Sequence, residues 1–428
     1  MILPLHGLGS RQDLPLPFAF VLFGAALALV VSFAVLVAAW KRPRYTRPAG
    51  LALPGLTRLL DAPASRAVLR LLALALYAWM AMALWFGQDR VTNPIFGFVF
   101  VWLWVGLVPL SLLFGPVFRR TNPLRTISRL ALAPRGPLRE LEVKTWQRIG
   151  VLPGVVTLLG FAWLELVQPD NNTLAVLRWW AVAWFVLVVG GAVLFGERWV
   201  AAADPFEVFA ERIATLSPWQ RIGGVIHLVN PLRHACTAPV PRGTAAVAAT
   251  LLGITAYDSF TSTTGWVGWV QTSPLPRELW GTIGLLTMTA LVAGTFALAS
   301  RLTAAGWTDR LAASLIPIVV GYNMAHYLSL LVLEGQRTVI LASDPLGMGW
   351  NVFGTAELGV NTGIFDYPDV VAVIQLAAIV VGHLLGVLIA HERSLVALDG
   401  RRVVRGQLPM LVLMVGYTCV GLVLLFSP

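Results

Sequence analysis

Residues 370 to 393 read VVAVIQLAAIVVGHLLGVLIAHER, and no Asp, Glu, Lys or Arg occurs in them before Glu392. Crossing a hydrocarbon layer of about 30 Å takes roughly 20 predominantly apolar residues in a helix, so this stretch is long enough to span. Helix is the form it must take there, because lipid offers the backbone N–H and C=O groups no partners outside their own segment. Ala378, Gly382, Gly386 and Ala390 form an i, i+4 row of small side chains, which lets a neighbouring backbone approach closely. Beside that row run Gln375, His383 and His391, eight residues apart, in steps that drift about 80° around the helix.

Nine more runs of this kind flank it. The ten expected spans are 17–40, 66–87, 95–116, 148–168, 174–196, 243–260, 278–300, 311–335, 370–393 and 406–427, the sixth being short and holding Asp258. Of the 428 residues, 57% are hydrophobic and only 12% charged, about half the charge of an ordinary soluble domain. That balance excludes a soluble multidomain enzyme, a disordered chain, a collagen and a disulfide scaffold. Cys236 falls in a loop and Cys419 inside a span, so they are not expected to pair. The fold class expected is all-α: a polytopic transmembrane bundle of about ten helices forming a single membrane domain over 1–428.

Positive loops resist translocation, so Lys and Arg counts orient the bundle. Loops after the odd-numbered spans hold 25 of the 31 Lys and Arg residues, and the opposite side holds four: Arg11, Arg90, Arg277 and Arg337. Arg70 and Arg178 lie one turn inside spans, where they can snorkel. Both termini are therefore expected outside a bacterial plasma membrane, with the net charge of +10 serving topology and contact with anionic lipid rather than nucleic acid. The first residues, MILPLHGLGSRQDLPL, lack a basic segment followed by an apolar one, so no cleavable signal peptide is expected.

Two long inner segments, 117–147 and 197–242, each begin near an Asx-Pro pair: Asn122-Pro123-Leu124-Arg125 and Asp204-Pro205-Phe206-Glu207. Asn or Asp caps a helix whose first position is Pro. The expectation is short helices in the cytoplasmic interface, apolar side down and Arg side toward phosphates. Asn230-Pro231-Leu232-Arg233 repeats the first tetrapeptide. On the outer side, 336–369 forms a loop long enough to fold back as a lid.

Ionisable groups within spans cost roughly 2.5–3.5 kcal/mol each on insertion scales, so each needs a reason. In the eighth span Tyr322 and His326 are i, i+4, with Asn323 and Ser329 on either side. Asp258 closes the sixth span and Glu165 the fourth, at similar depth. If these spans converge, Asp258, Tyr322, His326, Gln375 and His383 line one outward-facing cavity. The structural alternative is that the histidines are hydrogen-bonded core residues, which fits His391 best, beside Glu392 and Arg393. An axial offset of about 7 Å between His326 and His383 disfavours a shared haem. No Ser-His-Asp sequence pattern, phosphate-cradling Gly-rich loop or HExxH motif occurs.

The opening His6-Gly7-Leu8-Gly9-Ser10-Arg11-Gln12-Asp13-Leu14-Pro15 resembles that of a family of multi-pass bacterial, largely actinobacterial, membrane proteins known as fenitrothion hydrolases. The Asn-Pro-Leu-Arg segments, Asp204-Pro205-Phe206-Glu207, Thr255-Ala256-Tyr257-Asp258, and Val381-Gly382-His383 continuing to Ala390-His391 extend the likeness over most of the chain. The resemblance implies a membrane hydrolase that cleaves aryl phosphoester bonds of apolar organophosphate triesters. Unlike relatives with a leader before the His-Gly pair, this chain has only MILPL ahead of His6.

Two readings follow. In the first, Asp258, His326 and His383 are catalytic, Tyr322, Asn323 and Gln375 contact substrate, and His6, Asp13, His326 and His383 hold a divalent metal. In the second, the same residues serve a small-solute or ion transporter, or a haem- or copper-bearing membrane component. The lipid bilayer is the partner in both, and an apolar small molecule in the first.

Overall fold

The structure, a computed structural model, describes residues 11–133, 136–303, 308–397 and 402–426. In chain order its main helices are α1 (Phe18–Ala39), α2 (Pro63–Phe86), α3 (Pro94–Phe114), α4 (Pro123–Leu132), α5 (Val143–Leu166), α6 (Leu174–Phe195) and α7 (Pro205–Ile213). They continue as α8 (Pro231–Thr237), α9 (Thr244–Thr261), α10 (Thr264–Thr272), α11 (Arg277–Thr303), α12 (Ile316–His326), α13 (Leu328–Leu341), α14 (Pro368–Ala397) and α15 (Arg402–Phe426). Among the described residues eight helices are long and apolar enough to cross a membrane, and nine if α12 and α13 count as one interrupted span. Large apolar side chains such as Phe20, Phe23, Leu72, Val156, Leu291 and Val412 are exposed along them, as befits a surface solvated by lipid.

The expected sixth span, 243–260, is α9, which is absent from that set for a physical reason. Fourteen of its 18 residues are buried, so protein rather than lipid surrounds it and Thr, Ser and Asp are tolerated along its length.

The chain divides into two compact units. The first comprises Met1–Gly50, Val229–Ser329 and Gly363–Pro428. Here α9 packs on α11 and α12, α12 lies against α14, and α15 packs with α1, α11 and α14. The small-residue row of α14 does what its spacing implies. A Cβ at Gly321 would stand 2.3 Å from the Ala378 carbonyl oxygen, and one at Gly382 would stand 2.5 Å from that of Pro317. Backbone cannot yield as a side-chain tip can. Gly321→Val is therefore expected to force α12 and α14 apart and destabilise the unit by about 3 kcal/mol, the upper end of overpacking costs. Unfolding of the variant in mixed micelles checks this; a wild-type midpoint would contradict the close approach.

The second unit comprises Leu51–Leu228 and Leu330–Thr362. Its core is aromatic: Trp104 and Phe209 ring centroids lie 5.3 Å apart, and Phe161 and Phe206 lie 5.1 Å apart. Arg178, expected to snorkel, donates its Nε–H to the Leu84 carbonyl at 2.9 Å, satisfying an open acceptor in the last turn of α2.

The segments expected to lie in the cytoplasmic interface hold short helices that pack against protein. Apart from Glu211, every residue of α7 is buried. In α4 the Arg side turns inward while Leu130 is exposed. Segment 197–242 also contains two strands, β2 (Trp219–Ile222) and β3 (Val225–Val229), which join β1 (Gly50–Ala52) in a sheet of order β1-β3-β2. Antiparallel β2 and β3 join through Gly223 and Gly224, whose φ of 57° and 85° suit the two-residue turn. The 336–369 loop is shorter than expected, because α13 runs to Leu341 and α14 starts at Pro368. Asp344 orders its start by accepting the backbone N–H groups of Met348 and Gly349 at 2.9 and 2.7 Å.

Candidate functional site

Helix α9 ends with Asp258 and Ser259 on neighbouring positions, both buried, and α12 presents Tyr322 and His326 one turn apart toward them. His326 Nε2 lies 3.0 Å from Asp258 Oδ2, and its Nδ1 lies 3.1 Å from Ser259 Oγ. Tyr327 O–H donates to the same Asp258 oxygen at 2.7 Å, and Tyr322 O–H donates to Ser259 Oγ at 2.8 Å. A carboxylate is an acceptor only, so it draws the imidazole proton to Nε2 and leaves Nδ1 to accept from the serine. Ser259 Oγ also stands 3.2 Å from the Thr255 carbonyl, the usual backbone partner of a helical serine.

Chain geometry fixes the ring. Helix α12 stops at His326, Tyr327 adopts φ −99° and ψ 11°, and α13 starts at Leu328. The Tyr322 ring is parallel to the imidazole within 4°, and Tyr327 meets it edge-on at 4.6 Å. An imidazole oriented by a carboxylate on one nitrogen and bonded to a hydroxyl on the other is equipped for general-base activation of that hydroxyl. The same line of groups also provides a path along which a proton can pass.

Sequence reasoning placed Asp258, Tyr322 and His326 together, and the structure does so too. It missed Ser259 and Tyr327. Their only signal was position: a hydroxyl next to a span-embedded acid, and a tyrosine next to the histidine.

Gln375 and His383 sit elsewhere. Gln375 Nε2 donates to the Ala325 carbonyl at 2.9 Å, satisfying an acceptor at the open end of α12. His383 Nδ1 lies 2.8 Å from the Ile379 carbonyl, and its buried Nε2 has no partner among the described residues. With Ala325 beside Gln375 and Pro317 beside Gly382, α12 and α14 run antiparallel. His383 is then level with Pro317, nine residues or about 13 Å of helix from His326. This corrects the single cavity and the joint His326–His383 metal site, since imidazole ligands stand about 2 Å from a metal. Asn323 is buried with its Oδ1 unpartnered among the described residues. Asp13 ends a short turn at Arg11–Asp13, His6 lies outside the described residues, and Glu165 belongs to the second unit. Among the described residues no three His, Cys, Asp or Glu side chains gather as a metal site. Cys236 and Cys419 are free thiols.

His391 is structural. Its nitrogens face the Trp40 carbonyl at 2.9 Å and Gln407 Oε1 at 2.8 Å, while Glu392 Oε2 accepts the Trp40 indole N–H at 2.9 Å. Together they fasten the end of α1 to α14 and α15.

A second buried cluster joins the two Asx-Pro motifs of the second unit. Asn122 Oδ1 caps α4 through the N–H groups of Leu124 and Arg125, and Asp204 Oδ1 caps α7 through those of Phe206 and Glu207. The Asn122 amide donates to Asp204 Oδ2 and to Glu207 Oε2, both at 2.9 Å. Arg125 pairs with Glu207 and Glu197, and Arg129 pairs with Glu197. Burial, reinforced by the Glu207 charge, pushes the Asp204 carboxyl from 3.8 up to about 7.

The folded protein thus keeps a proton that an unfolded chain releases near pH 4. Stability from Asp204 is full below that pH, falls as pH rises toward 7, and is level above. Relative to Asp204→Asn, wild-type unfolding free energy is expected to drop by about 3 kcal/mol between pH 4.5 and 7.5. Loss of the Asn122 bond in the variant is independent of pH, so the slope isolates the titration. A constant difference across the window would contradict it.

No family model, curated protein or solved structure matches this chain.

Proposed function

We propose that this integral membrane protein is a hydrolase of apolar esters, with Ser259 as nucleophile, His326 as general base and Asp258 orienting the imidazole. The observation that carries this reading is the His326 ring held between the Asp258 carboxylate and the Ser259 hydroxyl. The likeness to fenitrothion hydrolases supports an aryl dialkyl phosphorothioate as substrate, a class that partitions into lipid. The proposed setting is a bacterial plasma membrane, with the site facing outward.

In the reaction, His326 Nδ1 takes the Ser259 proton as Oγ bonds to phosphorus and the bond from phosphorus to the aryl oxygen breaks. The aryloxide leaves and collects that proton. Water then attacks the phosphoryl-serine with His326 again as base, freeing Ser259. Tyr322, already donating to Oγ, is placed to stabilise charge there.

The test exposes detergent-purified protein to a fluorophosphonate probe and, separately, to a dialkyl nitrophenyl phosphorothioate. A probe adduct mapped to Ser259 together with nitrophenolate release is the expected result. Neither adduct nor release would overturn the reading.

A second reading, proton-coupled transport, is favoured by one observation: the helix breaks at Tyr327, beside the buried Asp258. Interrupted helices at buried titratable groups serve transporters. Its test is solute uptake into proteoliposomes driven by a pH gradient.

A further inference from the structure

Between Asp258 and Arg277 the chain carries no charged residue and no histidine, yet it leaves the packed core. The segment holds α10, TGWVGWVQT, in which no residue is buried. Thr263 caps it by accepting the Trp266 N–H, so it is a built helix with its apolar side chains displayed. Val267 is 40% exposed, Trp269 57% and Leu275 44%. In water such a surface would be costly.

Two observations give it a lipid setting. First, the chain leads from it directly into α11, whose Leu279, Ile283, Leu286 and Leu291 are exposed along a membrane-length helix. Second, its tryptophans have the pattern of an interfacial belt: Trp280 rests edge-on against Trp269 at 5.5 Å and donates its indole N–H to Ser273 Oγ at 2.6 Å. Indoles with one apolar and one hydrogen-bonded side settle at the headgroup level.

The third tryptophan, three residues before Trp269 and so on the same side of α10, packs inward. Trp266 packs on Tyr257 and Phe260, with ring centroids 6.0 and 5.3 Å apart, and those two residues bracket Asp258 and Ser259 in sequence. Room for it depends on Gly284 of α11, where a Cβ would come within 2.9 Å of the Trp266 ring and 2.7 Å of Tyr257.

We infer that α10 lies in the bilayer interface, with Trp266 at the middle of its apolar arc covering the end of α9 that bears Asp258 and Ser259, and with Val267 and Trp269 on the two flanks of that arc reaching the acyl chains. Its partner is the phospholipid surface itself. Because the helix has no charge, seating depends on apolar burial and not on anionic headgroups. The inference goes beyond the hydrolase reading by supplying a route: an apolar molecule dissolved in lipid meets α10 before it meets water.

The test uses the full-length protein in phosphatidylcholine nanodiscs, with both native cysteines changed to serine and a nitroxide on Val267→Cys. Reference labels go on Leu291→Cys, exposed midway along α11, and on Glu357→Cys, exposed in the 342–367 loop. Collisions with oxygen and with a water-soluble nickel chelate are compared. The expected oxygen-to-nickel ratio at Val267 is several-fold above that at Glu357, approaches that at Leu291, and is unchanged by adding anionic lipid. A ratio equal to that at Glu357, or one that rises only with anionic lipid, overturns the seating. Either failure is distinct from failure of the hydrolase reading, which is decided by the fluorophosphonate adduct. A lipid-like signal at Leu291 verifies that the labelled background is folded.

Discussion

Ser259→Ala is expected to lower turnover of a dialkyl nitrophenyl phosphorothioate by at least about three orders of magnitude, with His326→Ala equally damaging. Asp258→Asn is expected to cost a similar factor, because an amide at that position turns an N–H toward the imidazole and favours the wrong tautomer. Residues that act as one unit are not additive, so a triple variant should be no slower than the worst single one. Initial rates of nitrophenolate release measure this, alongside melting curves that confirm folding. Melting matters because Tyr322 loses its acceptor in Ser259→Ala, a burial cost of about 1–3 kcal/mol. Full turnover by Ser259→Ala would remove the nucleophile from the scheme.

The same set separates the two readings. A proton path through Asp258 and His326 requires titratable groups, whereas covalent hydrolysis also needs the serine oxygen. Uptake that survives Ser259→Ala and disappears in Asp258→Asn would place the chain among transporters.

Arg125→Met is expected to destabilise the protein by about 3–5 kcal/mol, because it leaves Glu207 fully buried opposite Asp204 without its cation. Adding Glu207→Leu should recover at least half of that loss, since removing both members of a buried pair is far less damaging than removing one. Unfolding free energies in mixed micelles provide the comparison. A single variant as stable as wild type would show that the cluster is solvated and its charges unpaired.

Identical tetrapeptides make clear what local sequence can and cannot specify. Asn122-Pro123-Leu124-Arg125 and Asn230-Pro231-Leu232-Arg233 both start helices, and in both the asparagine Oδ1 accepts the N–H groups two and three residues on. Cap chemistry is confined to four residues, so sequence reading recovers it. Their arginines diverge. Arg125 is buried against Glu207, whereas Arg233 is half-buried, stands over the Tyr45 ring at 5.1 Å and donates to the Arg47 carbonyl. Nothing within either tetrapeptide differs; the partner comes from 82 residues away in one case and 186 in the other.

Composition and apolar run length determined the solvent, the helical class and most spans, because the cost of an unpaired backbone in lipid acts on each segment separately. The row Ala378, Gly382, Gly386 and Ala390 likewise announced a close helix contact through its own spacing. Only the tertiary structure decided that α9 is enclosed by protein, that His383 is nine residues of rise from His326, and that Ser259 meets the imidazole. Those outcomes depend on which helices are neighbours and in what register. A shift of one turn between α12 and α14, about 5.4 Å, would pair different residues while leaving every hydropathy run unchanged.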